Sequence, residues 1–222
     1  MGITIARLAE LYPRLYHMAE VNTWDSIREN GLLSTTALLD LFGVNGNVRT
    51  SIESEHRPES VEIRNDKYGI AVVRDQKPLR EKALRNCLVG LTPHEWYKLL
   101  NRKTFFWLTE ARVRGLLSAR AYRDRSHCVL TIDTAELLQR HSVRVRLSSI
   151  NSGAVLYNPV PRGVETFLPL SDYPFEERRK KRGIANAIAE LTVDYSVPDI
   201  EAVTLEAHHM RESEIIETLF ER

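Results

Sequence analysis

The first forty residues of the chain contain the side chains whose types and spacing best suit chemistry. His17 lies in a short apolar run that predicts a strand, and the next run predicts a helix that Thr23 caps and Gly31 ends. Another helix is predicted to begin at Ser34 or Thr35, because a hydroxyl residue favours a helix start. A strand histidine backed by a helix whose glycine turns the chain sharply is one way to build a nucleotide pocket.

Three consecutive aromatic residues form a second candidate. They lie in the run 104–109, the most β-prone run of the chain. Side chains alternate along a strand, so Phe106 is predicted to face one way and Phe105 with Trp107 the other. A run of this kind serves either as core or as the wall of a ligand pocket, and both interpretations remain open.

The elements that must position these residues follow from local signals. Thr92, Pro93 and Glu95 predict a capped helix start, and Asp133 is predicted to cap a helix that runs through His141. Segments 61–63 and 70–73 flank a turn-forming sequence and predict a hairpin. Further predictions are a mobile connection over 44–62 with room for one helical turn, strands over 128–132, 143–147, 164–170 and 203–207, and helices over 3–12, 79–88, 110–119, 174–189 and 213–221.

Length and composition limit the class of protein. At 222 residues and 43% hydrophobic content the chain can build one sizeable core, so we expect a single α+β domain over 1–222 with mixed or antiparallel sheets and peripheral helices. The formal charge of +1 excludes a protein-wide basic field. Cys87 and Cys128 lack CxxC spacing, which predicts two free thiols in a reducing compartment. The sequence shows neither a signal peptide nor an apolar span, so we expect a soluble, cytoplasmic monomer with no membrane partner.

The spacing around His17 resembles a known superfamily. His17 precedes Ile27 by ten residues and the Gly31-Leu32 pair by fourteen, an order similar to the opening of the ADP-ribosyltransferase superfamily and of its DarT-type enzymes in particular. The resemblance implies an ADP-ribosyltransferase-like fold with NAD as co-substrate and His17 on its ribose. It further implies adenosine-side and nicotinamide contacts from four other residues: Ser34, Thr35, Phe106 and Trp107.

The same resemblance implies an arginine after the aromatic strand and a catalytic carboxylate. Arg112 is the candidate arginine, with Arg114 in reserve. It is expected to hold a phosphate of NAD or of nucleic acid and to belong, with His17, to the catalytic residues. ADP-ribosyl transfer passes through an oxocarbenium-like ribose, which a fixed carboxylate stabilises. Glu165 is the acid predicted at the mouth of a late strand, after the turn-rich segment 151–163, and is therefore the expected catalytic residue.

Basic residues late in the chain are the candidates for contacts with nucleic acid. A cationic run begins at Arg178, and such a run forms either a solvated helix face or a contact for phosphates. The residues predicted to bind nucleic acid are Arg162, Arg178, Arg179 and Lys180. No metal site is expected, because the adjacent His208 and His209 lack a cysteine or acid that would complete one.

Three functions stay open. The first is NAD-dependent transfer of ADP-ribose to nucleic acid, with DNA ahead of RNA, as in a bacterial toxin or antiviral enzyme whose candidate partner is an antitoxin or a phage component. The second is a DNA N-glycosylase that holds a flipped, modified or damaged base in the same pocket. The third is an inactive nucleotide- or protein-binding module.

Overall fold

The structure, a computed structural model, describes residues 2–155 and 159–222. It confirms an α+β arrangement of helices and antiparallel sheets. The predicted turn-rich segment 151–163 falls partly outside the described residues, because 156–158 are not among them. No helix within the described ranges is long and apolar enough to cross a membrane.

The elements follow one another without a regular βαβ alternation. The helices are α1 (Ile5–Leu11), α2 (Trp24–Asn30), α3 (Thr35–Leu41), α4 (Gly46–Ser54), α5 (Glu81–Cys87), α6 (Pro93–Asn101), α7 (Glu110–Leu117), α8 (Thr134–His141), α9 (Phe175–Arg182), α10 (Ile184–Ala187) and α11 (Ile200–Val203). The strands are β1 (Arg14–Glu20), β2 (Leu32–Leu33), β3 (Val61–Asn65), β4 (Gly69–Val73), β5 (Lys103–Phe106), β6 (Ser126–Asp133), β7 (Val145–Ser148), β8 (Glu190–Asp194), β9 (Ser196–Val197), β10 (Thr204–Arg211) and β11 (Glu214–Glu221).

Two larger sheets organise the molecule. The first has the order β1-β6-β10-β11 and the second the order β5-β8-β7, and every pairing in both is antiparallel. An isolated bridge between Tyr16 and Trp107 joins β1 to the end of β5. Leu130 of the first sheet and Leu191 of the second lie, fully buried, in the same core cluster. Burial of this shared apolar surface is what holds the two sheets together.

Several local predictions are confirmed. Thr92 and Glu95 form the predicted capping box at the start of α6, and Asp133 accepts a hydrogen bond from the N–H of Glu136 to cap α8. The hairpin is β3–β4, and Ser34 caps α3. The prediction that Thr23 caps α2 is wrong, because its side chain makes no capping bond and its hydroxyl instead donates to the carbonyl of Glu20 at 2.7 Å.

The segment 44–62, predicted as a mobile connection with at most one helical turn, contains instead the nine-residue helix α4. Ile52 packs into a core cluster with residues of α3 and of the β3–β4 hairpin. Arg49 bridges Asp40 of α3 and Glu53 of α4 by ion pairs at 2.6 and 3.1 Å. The contacts of Ile52 and Arg49 with other elements stabilise a helix longer than the single turn that the polar sequence allows.

Three predictions late in the chain are also wrong. The helix predicted over 174–189 ends at Arg182, because Gly183 adopts a φ of 74° and turns the chain. The strand predicted over 164–170 begins instead as a 3₁₀ helix, Val164–Thr166. The helix predicted over 213–221 is the strand β11, which pairs with β10 and packs Leu219 and Phe220 against the main core.

Gly31 generates a prediction about stability. Its φ is 85°, and a β-carbon there would lie 2.7 Å from the α-carbon of Pro198. Gly31→Ala should therefore lower the free energy of unfolding by more than about 2 kcal/mol, from backbone strain together with the clash. Gly43→Ala is the matched control, since Gly43 has a φ of 68° but nothing within 4 Å of its added carbon. Urea denaturation measures both variants, and an equal loss of stability would contradict the packing argument.

Candidate functional site

The site is a cavity of about 490 Å³ between the end of β1, the turn from α2 to α3, the β3–β4 hairpin and the ends of β5 and β8. Its lining includes four of the residues predicted to bind a cofactor: His17, Ser34, Thr35 and Trp107. Glu190 also lines it. Apolar side chains line much of the remainder. An apolar cavity with a few convergent polar groups is the usual form of a small-molecule site.

His17 is held in one orientation by the backbone of β5. Its Nδ1 lies 2.8 Å from the carbonyl oxygen of Phe105, which can only accept a hydrogen bond, so Nδ1 carries a proton. Desolvation lowers the pKa of His17 to about 4, and the ring is therefore neutral at neutral pH. Nε2 makes no hydrogen bond to any described residue. The neutral ring thus offers an acceptor nitrogen to a ligand hydroxyl.

Glu190 is the first residue of β8 and only 3% exposed. Both of its carboxylate oxygens lie 3.2 Å from the N–H of Ser152, which donates to them. Desolvation raises the pKa of Glu190 to about 7, and the hydrogen bonds from Ser152 and the charges of Arg112 and Arg162 act in the opposite direction. A buried carboxylate with a perturbed pKa in a cavity is a candidate functional group.

Strand pairing explains why these residues meet. Phe106 pairs with Leu191 at the end of the β5–β8 ladder, and Trp107 and Glu190 are the next residues along their two strands beyond this last pair. Both residues line the cavity. Trp107 also exchanges backbone hydrogen bonds with Tyr16, the neighbour of His17, at 2.8 and 2.9 Å. The bridge therefore brings the histidine strand to the glutamate strand.

The hydroxyl residues after β2 reach the cavity through a turn. Gly31 turns the chain so that β2 pairs with β9, and Ser34 and Thr35 follow directly. The Ser34 hydroxyl oxygen accepts a hydrogen bond from the N–H of Ala37 at 3.2 Å and so also caps α3. Ser34 thus has a structural task in addition to its place in the cavity wall.

Two further predicted residues lie beside the cavity rather than in its wall. Phe106 is fully buried in the main core, with its ring 5.8 Å from that of His17, so a direct contact with nicotinamide is wrong for it. Phe105 lines the cavity instead. Arg112 donates to the side chain of Asn186 at 3.0 Å, and its charge favours the ionised form of Glu190.

Glu165 lies apart from this group. It is exposed on the 3₁₀ helix and lines a second cavity of about 460 Å³, which Arg178 also lines. The structure therefore does not bring Glu165 together with His17. The predicted position at a strand mouth failed because the segment after 163 turns into a 3₁₀ helix before its bridge at Leu168.

The predicted nucleic-acid residues divide into buried Arg162, half-buried Arg178 and Arg179, and exposed Lys180. Arg162 is 3% exposed and donates to the carbonyls of Ser152 and Ala154 at 3.0 Å, so a contact with a phosphate backbone is wrong for it. Its role is to hold the loop whose Ser152 contacts Glu190. Arg179 and Lys180 lie on α9, where Arg179 pairs with Glu176 at 2.6 Å and Lys180 is exposed.

Sequence reasoning missed Glu190, although a signal for it exists. The run from Ile188 to Val193 is apolar except for Glu190 and Thr192, and an acid within such a run is uncommon in a buried strand. The prediction of a helix up to 189 concealed this strand. Among the described residues, no group of histidines, cysteines and acids is arranged to hold a metal ion.

Comparison with known proteins assigns the chain to a family. Residues 13–204 match the family described as "Family of unknown function (DUF7002)", and the chain belongs to that family. The match covers the strands and turns that carry His17, Ser34, Trp107 and Glu190. No curated protein matches the sequence.

The buried carboxylate predicts a dependence of stability on pH. The pKa of Glu190 rises from 4.5 to about 7 on folding, so its protonated form stabilises the fold at low pH and this contribution is lost as pH rises through 7. Glu190→Gln keeps the shape and an acceptor for Ser152. The free energy of unfolding of Glu190→Gln minus that of the parent should therefore increase by about 3 kcal/mol when the pH rises from 4.5 to 8.

His17 titrates in the opposite direction, because its lowered pKa removes stability as pH falls below 6.5. Since both proteins contain His17, its contribution cancels in the comparison. Denaturant unfolding at several pH values measures the difference between parent and variant. A difference that stays constant from pH 4.5 to pH 8 would contradict a raised pKa at Glu190.

Proposed function

We propose that this protein is an ADP-ribosyltransferase that takes NAD into the first cavity, with an ADP-ribosyltransferase-like fold. The observation that supports this most is the convergence of His17, Trp107 and Glu190 on one cavity from three adjoining strands. A hydrogen-bond acceptor, an aromatic wall and a buried carboxylate are the groups that cleavage of a nicotinamide–ribose bond needs.

Glu190 takes the role that the sequence suggested for Glu165. In the proposed reaction the bond between nicotinamide nitrogen and ribose C1′ breaks, and its electron pair leaves with nicotinamide. Positive charge develops on the ribose, and the Glu190 carboxylate stabilises it. A nucleophile of the acceptor then bonds to C1′ and loses its proton to a base or to water. The charges of Arg112 and Arg162 favour the ionised Glu190 that this chemistry uses.

His17 serves as a positioning group on the ribose. With Nδ1 fixed on the Phe105 carbonyl, Nε2 can accept a hydrogen bond from a ribose hydroxyl. Trp107 is half-buried and lines the cavity, so its ring can pack on the nicotinamide. Ser34 and Thr35 stay the proposed contacts on the adenosine side.

Nucleic acid, with DNA before RNA, stays the proposed acceptor. The exposed cationic residues of α9, such as Lys180 and Arg182, support this choice because they offer contacts for phosphates. Incubation with labelled NAD and with single-stranded or duplex DNA or RNA tests it. Label on a nucleic acid supports the proposal, whereas abasic sites formed without NAD would favour a glycosylase.

Glu190→Gln and Glu165→Gln together decide which carboxylate carries the chemistry. Glu190→Gln keeps the hydrogen-bonding shape but loses a charge needed only in the transition state, so NAD turnover should fall at least ~100-fold with little change in NAD affinity. Glu165→Gln alters an exposed residue of the other cavity, and turnover should stay within a few-fold of the parent. Release of nicotinamide measures turnover in both.

The two variants distinguish Glu190 from Glu165 as the catalytic carboxylate. A large loss of turnover in Glu165→Gln with normal turnover in Glu190→Gln would assign the catalytic role to Glu165 in the second cavity. Absence of NAD consumption by the parent with any nucleic acid would remove the transferase proposal altogether.

A further inference from the structure

Arg57 is a buried cation in the wall of the first cavity. It is 6% exposed, and its guanidinium donates to the carbonyl oxygens of Ile52 and Arg74 and to the side-chain oxygen of Asn101. All three acceptors are neutral, and no carboxylate of the described residues forms an ion pair with it. A guanidinium has five N–H donors, so two remain for a ligand.

Arg74 is a second arginine in the wall of the same cavity. The Nε of Arg57 donates to the backbone carbonyl of Arg74 at 3.2 Å. The Arg74 side chain donates from Nη1 to the carbonyl of Met18 at 3.3 Å, and its Nε lies 3.5 Å from Glu20. Glu20 is shared with Arg125, which approaches to 3.0 Å. The buried Nη2 of Arg74 has no partner among the described residues.

The charges of this wall are therefore incompletely matched. Burial of a charged group costs free energy unless a counter-charge lies beside it, and unpaired buried donors add to that cost. Desolvation lowers the pKa of Arg57 to about 10, with Asp75 acting in the opposite direction. A value of about 10 still leaves the guanidinium charged at neutral pH, so Arg57 itself keeps a positive charge that an anionic ligand can neutralise.

We propose that Arg57 and Arg74 form a binding site for a diphosphate group in the first cavity. Both arginines line this cavity, and each keeps N–H donors without a partner among the described residues. Two such groups suit two linked phosphoryl groups, because a guanidinium can take a phosphate by paired hydrogen bonds. This inference deepens the proposed function and rests on it in one respect: the diphosphate is that of a dinucleotide substrate rather than the backbone of a nucleic acid.

Isothermal titration of ADP and of adenosine into the parent and into variants tests the site. Wild-type protein should bind ADP at least tenfold more tightly than adenosine, a ratio of the order expected for charge-assisted hydrogen bonds. Arg74→Met and Arg57→Met should remove that preference and leave adenosine affinity within about twofold, and Arg57→Lys should retain part of it. Arg64→Met is the matched control, since Arg64 is exposed on β3, pairs with Glu62 and lies outside the cavity.

A purely structural role for Arg57 predicts a different result. Arg57 also holds the end of α4 and the side chain of Asn101, so a purely structural effect of its loss would weaken the binding of ADP and of adenosine equally. If Arg57→Met fails to fold by circular dichroism, Arg57→Lys and Arg74→Met still carry the test. Equal affinity of the parent for ADP and adenosine, or an unchanged preference in Arg74→Met, would overturn the proposal.

Competition separates the two sources of phosphate and separates this inference from the proposed function. Displacement of ADP by a short single-stranded oligonucleotide, but not by ADP-ribose, would overturn the assignment to a dinucleotide. Arginine-dependent ADP binding without NAD consumption would leave the diphosphate site standing while the transferase falls. NAD consumption without any preference for ADP over adenosine would support the transferase and overturn the diphosphate site.

Discussion

The two backbone hydrogen bonds between Tyr16 and Trp107 are the constraint on which the site depends. They join the histidine strand β1 to β5, and β5 in turn pairs with β8, so they set the distance between the two halves of the cavity. They also set which side chains face it. A shift of one residue would turn Phe106 out of the core and withdraw Trp107 from the cavity wall. It would also move the Phe105 carbonyl that orients His17.

The parts of the fold that the sequence predicts are those with local causes. The capping box at Thr92 and the cap at Asp133 need only residues three positions away, and both form as expected. The alternation that directs Trp107 away from Phe106 is likewise a property of any strand. His17, Ser34 and Thr35 line one cavity with Trp107.

The parts that escaped prediction depend on distant contacts. Whether the run at Glu190 forms a helix or a strand is decided by its pairing with β5 and β7, about 90 and 45 residues earlier in the chain. Glu165 looked better placed only because its own segment was expected to pair as a strand. Arg57 and Arg162 are both buried by contacts with remote backbone carbonyls, which no local pattern of charge reveals.

The central claim is that one cavity holds a dinucleotide between His17 and Glu190. A crystal structure of the protein soaked with ADP-ribose tests it most directly. The account predicts ADP-ribose in the first cavity, with a ribose hydroxyl within hydrogen-bond distance of His17 Nε2 and the nicotinamide-side ribose beside Glu190. Ligand density confined to the second cavity, beside Glu165 and Arg178, would contradict the account.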